Sequence, residues 1–407
     1  MHIPQPSLPP PRVASGPVAW LRDNLFNSWL NGIISTAAII FSAWAFYSLV
    51  TWILLAQGWQ IVWNNARVLS LFRYPSELAW RPVLCVILIM GLFGLSASIA
   101  KGGVGRILRQ SFYWLLGVIV FTAIIAFFFW ESVRFYWLAA VVIALLGFFI
   151  GKAIPGLSKA LPWMWGSIWF VCVIILAGLP FGQGMFFQGV ASDLWGGILL
   201  SFFLSVTGIV VSFPLGIALA LGRNSKLPII KWFCVTYIEV IRGAPLVTWL
   251  FMASLILPLM LGGLNIPAVI RAQVAIILFS AAYMAENVRG GLQALPKGQP
   301  EAAHALGLTP WDSTMRIILP QALRAVIPAI VGLFIGLFKD TTLVTVVGLS
   351  DLFATAQKVS NQPEALGVTG GIVRELFIMM AVFFWFFCYR MSVASKQLEQ
   401  ELGLGTR

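Results

Sequence analysis

From residue 30 almost to its end, the chain is a succession of apolar runs, each apolar at every position and divided from the next by a polar link. A helix of about 20 such residues spans the roughly 30 Å hydrocarbon core of a bilayer with its backbone N–H and C=O groups satisfied internally. Barrel strands would instead alternate apolar and polar side chains. With 60% hydrophobic and 10% charged residues among 407, the chain has too little polar surface to close a core of its own in water. The expectation is an all-α, polytopic helical membrane protein with about ten transmembrane helices. The spans read 30–56, 82–100, 112–130, 135–151, 162–178, 195–222, 246–263, 267–285, 322–338 and 372–390.

A formal net charge of +12 would suit a nucleic-acid partner only if the cations gathered on one soluble face. They are dealt out in small groups between the apolar runs, so no nucleic acid is expected and the lipid bilayer is the partner. With the N-terminus inside, ten spans leave 18 of the 26 Lys and Arg on the cytoplasmic side and eight outside, which points to both termini in the cytoplasm of a multi-pass inner-membrane protein. Residues 1–28, with six prolines in the first 17, read as a disordered cytoplasmic tail, and 399–407 as a second tail. Residues 29–192 form a membrane extension of about five helices, rich in Trp and Phe and poor in motifs. After residue 193 the loops carry Gly, Pro, Glu and Arg in tight groups, which places function in the second half.

Only two histidines occur, His2 and His304, too few for a His-based metal centre or a Ser-His-Asp relay within the chain. No GxxxxGK[ST] phosphate loop is present; the nearest approach, Gly151 to Gly156, is followed by Leu157 and Ser158. No catalytic residue, metal or cofactor is therefore assigned to this chain. The four cysteines lie far apart, each within or beside an apolar run, and read as small buried hydrophobes.

The longest polar interruption in the second half is 286–328. Within it, residues 299–306 are good helix formers, opened by Pro300 in the first turn with Glu301 beside the positive helix end, and closed by Gly307 where a left-handed cap fits. Thr309-Pro310-Trp311-Asp312 starts a second short helix, capped by Thr309 or Asp312, before the chain turns at Pro320. With Ala302, Ala303 and Ala305 on its surface, this pair would form a compact knob; the alternatives are docking into a partner's groove or an ordinary solvated loop.

Ionisable residues near membrane depth are costly and mark functional paths. Glu239, Arg242, Glu286, Arg289, Lys339 and Asp340 qualify as a substrate path or gate, since a zwitterion needs an anion for its ammonium and a cation for its carboxylate. A structural reading competes with this: Glu239 with Arg242, and Glu286 with Arg289, are spaced i, i+3 and can pair along a helix at the cytoplasmic boundary. Lys339 and Asp340 fall just past the ninth span.

Glu301-Ala302-Ala303, three residues, Gly307, nine residues, Ile317, one residue, Leu319-Pro320 resembles the EAA loop of binding-protein-dependent ABC importer permeases at every motif position. Tyr237 to Leu246, Ala282 to Gly291 and Phe338-Lys339-Asp340-Thr341-Thr342-Leu343 are similar to segments of the polar amino-acid branch, which commonly has Ser at the second Thr. The resemblance covers about 193–398, whose five spans correspond to the usual permease core. The five extra spans are similar to those of the permeases of general L-amino-acid importers.

The resemblance implies a heterodimer with a paralogous second permease, two ATPase subunits that bind ATP and Mg, a periplasmic binding protein and an amino-acid substrate. It also implies that Glu301, Ala302, Ala303, Gly307, Ile317, Leu319 and Pro320 form the ATPase-coupling loop. An ion-gradient-driven secondary transporter is the alternative; it would show two related halves with paired broken spans, and the first five spans do not echo the last five.

Overall fold

The computed structural model describes residues 16–129, 134–178, 188–260, 262, 266–368 and 370–403. They fall into two units, Met1–Gln60 and Ile61–Arg407. In the first, α1 (Pro17–Leu25) begins on a proline, whose fixed φ suits a first helical turn. The second helix, α2 (Trp29–Leu55), is capped by Ser28, whose hydroxyl accepts from the Asn31 N–H at 3.2 Å. Ser35 Oγ donates to the Leu25 carbonyl at 2.7 Å and closes the corner between the two. Within the segment read as a tail, 17–25 is helical; Pro17 is the last of the six prolines and opens that helix. Residues 1–15 lie outside the described residues.

The second unit holds α3 (Trp80–Ile99), α4 (Gly102–Phe129), α5 (Arg134–Ala153) and α6 (Leu161–Ala177), which form the extension. After them come α7 (Gly197–Arg223), α8 (Pro228–Arg242), α9 (Leu246–Met260), α10 (Ala268–Ala294), α11 (Gly298–Ala305), α12 (Leu319–Asp340), α13 (Leu352–Ser360) and α14 (Val373–Glu401). Among the described residues eight helices are long and apolar enough to cross a membrane, or nine if α8 and α9 make one bent span, and α6 is a shorter apolar helix. Over its described residues each of the ten expected spans coincides with an apolar helix; 130, 261 and 263 lie outside them. The helix α8 itself was not expected: Gly243-Ala244-Pro245 separates it from α9, and the two axes meet at 103°. A π-turn over Met252–Ile256 interrupts α9. The last helix runs through Glu401, past the expected end of the tenth span.

Helices in a bilayer gain nothing by hiding apolar surface from lipid, so their cohesion comes from close approach, and small residues allow it. Gly91 and Gly94 of α3 face Ala144 and Gly147 of α5 so tightly that a β-carbon on Gly147 would lie 2.0 Å from the Gly91 carbonyl oxygen, and one on Gly94 2.3 Å from the Ala144 oxygen. The same device builds the second half. A β-carbon on Gly216 of α7 would meet Met284 Cγ of α10 at 2.4 Å, and one on Gly291 of α10 would meet the Ala322 carbonyl oxygen of α12 at 2.4 Å. Phe338 of α12 then packs its ring against Phe202 of α7 at 5.6 Å and against Phe384 of α14 at 5.2 Å.

Polar contacts order both ends, some within the extension or the core and three between them. At the expected outer end, Tyr74 is fully buried; its hydroxyl donates to the Leu176 carbonyl at 2.8 Å, and burial pushes its pKa up to about 12. Lys358 of α13 lies 4.5 Å above the Phe72 ring. Gly197 donates to the Ser350 carbonyl at 2.8 Å, and the fully buried Asp351 caps α13 by accepting from the Phe353 and Ala354 N–H groups. Burial pushes the Asp351 carboxyl up, against the pull of those N–H groups and the Thr345 hydroxyl. At the other end, Arg106 pairs with Glu401 at 2.9 Å and Gln397 donates to Gln110 at 2.7 Å. All four cysteines are free thiols, three of them buried, in keeping with the reading as small hydrophobes.

Gly147→Val should destabilise the protein by about 1–3 kcal/mol or abolish its recovery, because neither backbone can retreat. Gly166→Val, where an added β-carbon meets nothing within 4 Å, should be near neutral. Thermal unfolding of the two variants in detergent checks the contrast.

Candidate functional site

The polar stretch after α10 folds as an elbow whose geometry follows from one glycine. The helix α11 ends at Ala305 with Leu306 as its cap residue, and Gly307 sits at φ +74°, the left-handed region where a side chain strains the backbone. The Leu308 N–H then reaches the Ala303 carbonyl at 3.2 Å and the Gly307 N–H reaches the His304 carbonyl at 2.9 Å, the paired bonds of a Schellman cap. Thr309 opens the next helical turn: its hydroxyl accepts from the Asp312 N–H at 3.1 Å and donates to the Asp312 carboxylate at 2.7 Å.

Two expectations about the knob are corrected. The segment after Thr309 is not a separate short helix: Pro310–Asp312 runs through a π-turn, Ser313–Ile318, directly into α12. Pro320 has no N–H to give the helix, and the wider π-turn just before it absorbs the missing bond without a break. Ala303 is not on the surface; it is 1% exposed, because the cap folds Leu308 back under it. Glu301, Ala302, Ala305 and Gly307 are exposed, as are Leu306 at 78% and Trp311 at 70%. Of the other motif residues, Leu319 is buried, Ile317 half-buried and Pro320 exposed. Gln321 Nε2 of α12 donates to Gln299 Oε1 of α11 at 3.1 Å, so the elbow is fastened to the helix that follows it.

About two turns above the elbow, side chains from three helices converge. Glu286 of α10 accepts from the Arg289 guanidinium through both carboxylate oxygens, lies 3.4 Å from Arg242 of α8, and lies 3.7 Å from Arg223 of α7. Arg223 also pairs with Glu239 of α8 at 3.0 Å. The Arg242 guanidinium stands over the Tyr283 ring at 5.4 Å, and the Tyr237 hydroxyl donates to the Leu278 carbonyl at 2.7 Å. Of the two expected i, i+3 pairs, Glu286 with Arg289 forms. Glu239 turns instead to Arg223, because the short link 224–227 packs α8 beside the end of α7, with Cys234 against Gly222. Arg223 was missed as a site residue; read alone, the last cation of an apolar run signals only topology. Three guanidiniums and two carboxylates leave the group one positive charge in excess, and it ties together the ends of α7, α8 and α10.

Lys339 and Asp340 are the last residues of α12, which continues as a 3₁₀ turn, Thr341–Val347. The structure does not bring them to the Glu286 group; they stand at the opposite end of α12 from Ala322, which touches α10 at Gly291.

Residues 212–403 match the protein family described as "Binding-protein-dependent transport system inner membrane component". Together with the full-length relatives below, that match shows that the chain belongs to this family, among the inner-membrane permeases of amino-acid ABC transporters. It is 33% identical to the inner membrane amino-acid ABC transporter permease protein YhdY of Escherichia coli, over 97% of each chain. It is 35% identical to the glutamate/glutamine/aspartate/asparagine transport system permease protein BztC of Rhodobacter capsulatus, over 97% of this chain and 95% of that one. A chain from a crystal structure of an amino acid ABC transporter with histidines is 32% identical, with a TM-score of 0.44, over 49% of this chain and 90% of that one. Permeases of such importers work with an ATPase and a substrate-binding protein.

Glu286→Gln should cost about 1–3 kcal/mol, because it leaves three guanidiniums around a neutral amide. Glu239→Gln should cost less than about 1 kcal/mol, since that side chain is 56% exposed and solvent already screens its pair. Unfolding midpoints of the two variants, measured in the same detergent, test the order.

Proposed function

We propose that this chain carries polar L-amino acids from periplasm to cytoplasm as one half of a heterodimeric permease, with both termini in the cytoplasm and the 298–312 elbow seated in an ATPase subunit. The observation that carries the reading is the Gly307 cap. It turns the chain sharply while leaving Glu301, Ala302, Ala305, Leu306 and Trp311 exposed, a small-residue surface flanked by two large apolar side chains. Exposed Leu and Trp on a cytoplasmic loop are costly in water and favourable in a partner's groove.

The elbow also has the right connections to transmit force. It leaves α10 three residues after Ala294 and runs without a break into α12, so a displacement at Leu306 acts on two membrane helices at once. Closure of the ATPase pair would bias the helices between outward-open and inward-open arrangements, each a rigid packing of the same contacts. The Glu286 group, at the junction of α7, α8 and α10, holds the inner ends of those helices in register during the change.

The polar L-amino-acid assignment rests on the resemblance of 237–246, 282–291 and 338–343 to the polar amino-acid branch and on BztC, whose name gives four polar amino acids. A paralogous partner is favoured by the same branch.

Gly307→Asp should leave the protein in the membrane but lower ATP-driven amino-acid uptake at least tenfold, since a side chain strains the left-handed cap and intrudes on the docking surface. Uptake by proteoliposomes holding the whole complex, with co-purification of the ATPase, is the check. Normal ATPase binding together with undiminished uptake would refute the docking role.

A further inference from the structure

Three cations meet at one end of the extension. Lys101 follows the cap of α3, Lys152 sits in the last turn of α5, and Lys159 closes the 3₁₀ turn, Pro155–Lys159, that leads to α6. Packing on the end of α3 brings these segments together. A β-carbon on Gly151 would lie 2.1 Å from Ser98 Oγ, Leu157 and Leu161 pack against the buried Leu92, Leu95 and Ile99, and Trp165 Nε1 donates to Ser96 Oγ at 3.0 Å. All three lysines are exposed, and no carboxylate among the described residues stands within ion-pair distance of any of them. From Trp80 to Ala177 the sequence holds one acidic residue, Glu131, in the link between α4 and α5. The carboxylate that does reach this end, Glu401 of α14, is taken by Arg106 at 2.9 Å.

The lysines stand among apolar groups suited to a bilayer. Ile150 and Ile154 are exposed, and Trp163, in the first turn of α6, is 80% exposed. Only seven residues, 154–160, join α5 to α6, so the cations stay at the level of the helix ends. That mixture belongs in the headgroup layer, where indole rings and alkyl stems rest on the acyl boundary while ammonium groups reach the phosphates. The same end carries the elbow. The last helix, α14, starts beside α13, where the Phe353 and Phe377 rings are 5.9 Å apart, and finishes at Glu401 against α4; α12 likewise runs from the elbow toward α13.

We propose that this end of the extension binds an anionic phospholipid, its headgroup phosphate held by Lys101, Lys152 and Lys159 and its acyl chains laid along Ile150, Ile154 and Trp163. Charge selects the lipid. A phosphatidylcholine headgroup brings its own cation and gains little from three more, whereas phosphatidylglycerol presents a net negative charge to them. The site depends on the chain spanning a bilayer and is independent of what the protein transports.

For the test, the complete transporter is placed in phosphatidylcholine nanodiscs doped with phosphatidylglycerol carrying a diazirine acyl chain, or with phosphatidylcholine carrying the same chain. Labelled peptides are mapped by mass spectrometry. The glycerol lipid should label residues 150–165 about tenfold more than the choline lipid. Lys101→Gln, Lys152→Gln and Lys159→Gln together should abolish that preference, each alone should lower it severalfold, and arginine at all three positions should keep it. Should the triple glutamine variant fail to fold, the single variants carry the same comparison. Equal labelling by the two lipids, or a preference that survives the glutamine substitutions, would overturn the proposal. Displacement of the lipid by inorganic phosphate would make this a free-anion site and overturn it too, as would protection of residues 150–165 from both lipids by a crosslinkable contact with the ATPase.

Discussion

The arrangement of the second half depends on how closely α10 approaches its two neighbours. At Gly216 it meets α7 and at Gly291 it meets α12, in each case with no room for a further carbon atom. In a bilayer that closeness is the main source of cohesion between helices, because lipid tails solvate apolar side chains as well as another helix does. Larger residues at these positions would push the helices apart, and Arg223, Arg242 and Glu286 would no longer reach one another.

Those contacts also make α10 and α12 a mechanical pair. They touch near Gly291 and Ala322 and are joined below by the elbow, whose cap at Gly307 fixes the direction in which the chain turns back. On the proposed docking, a push on the elbow would act on both helices of this frame at once. The extension adds its own ties, through Arg106 and Glu401 at one end and Phe72 and Lys358 at the other. Relatives aligned along 97% of the chain show that the extension is shared with other amino-acid permeases.

Much of this was legible in the sequence because it is local. Apolar runs longer than a bilayer is thick announce helices, and the elbow declared itself through Pro300, Gly307 and Thr309, each needed by the backbone at its own position. Misreadings arose where the outcome depends on distant parts of the chain. Glu239 matches Arg242 by spacing, yet its partner, Arg223, is sixteen residues away and comes near because α8 packs beside the end of α7. Pro320 looked like a turn, but a π-turn upstream let the helix pass through it. Lys339 and Asp340 close α12, as charges usually close an apolar run, but the helical backbone goes on as a 3₁₀ turn to Val347.

The most direct test of the central claim, that the elbow carries force from an ATPase into the membrane helices, is a crosslink from the exposed tip. With the four native cysteines replaced, Leu306→Cys is reacted with a short bifunctional thiol reagent in inverted membrane vesicles containing the complete transporter. The account predicts one product joining this chain to the ATPase subunit, with a yield that changes on adding ATP. Reaction of that cysteine only from the periplasmic face, or its failure to join the ATPase in any nucleotide state, would contradict it.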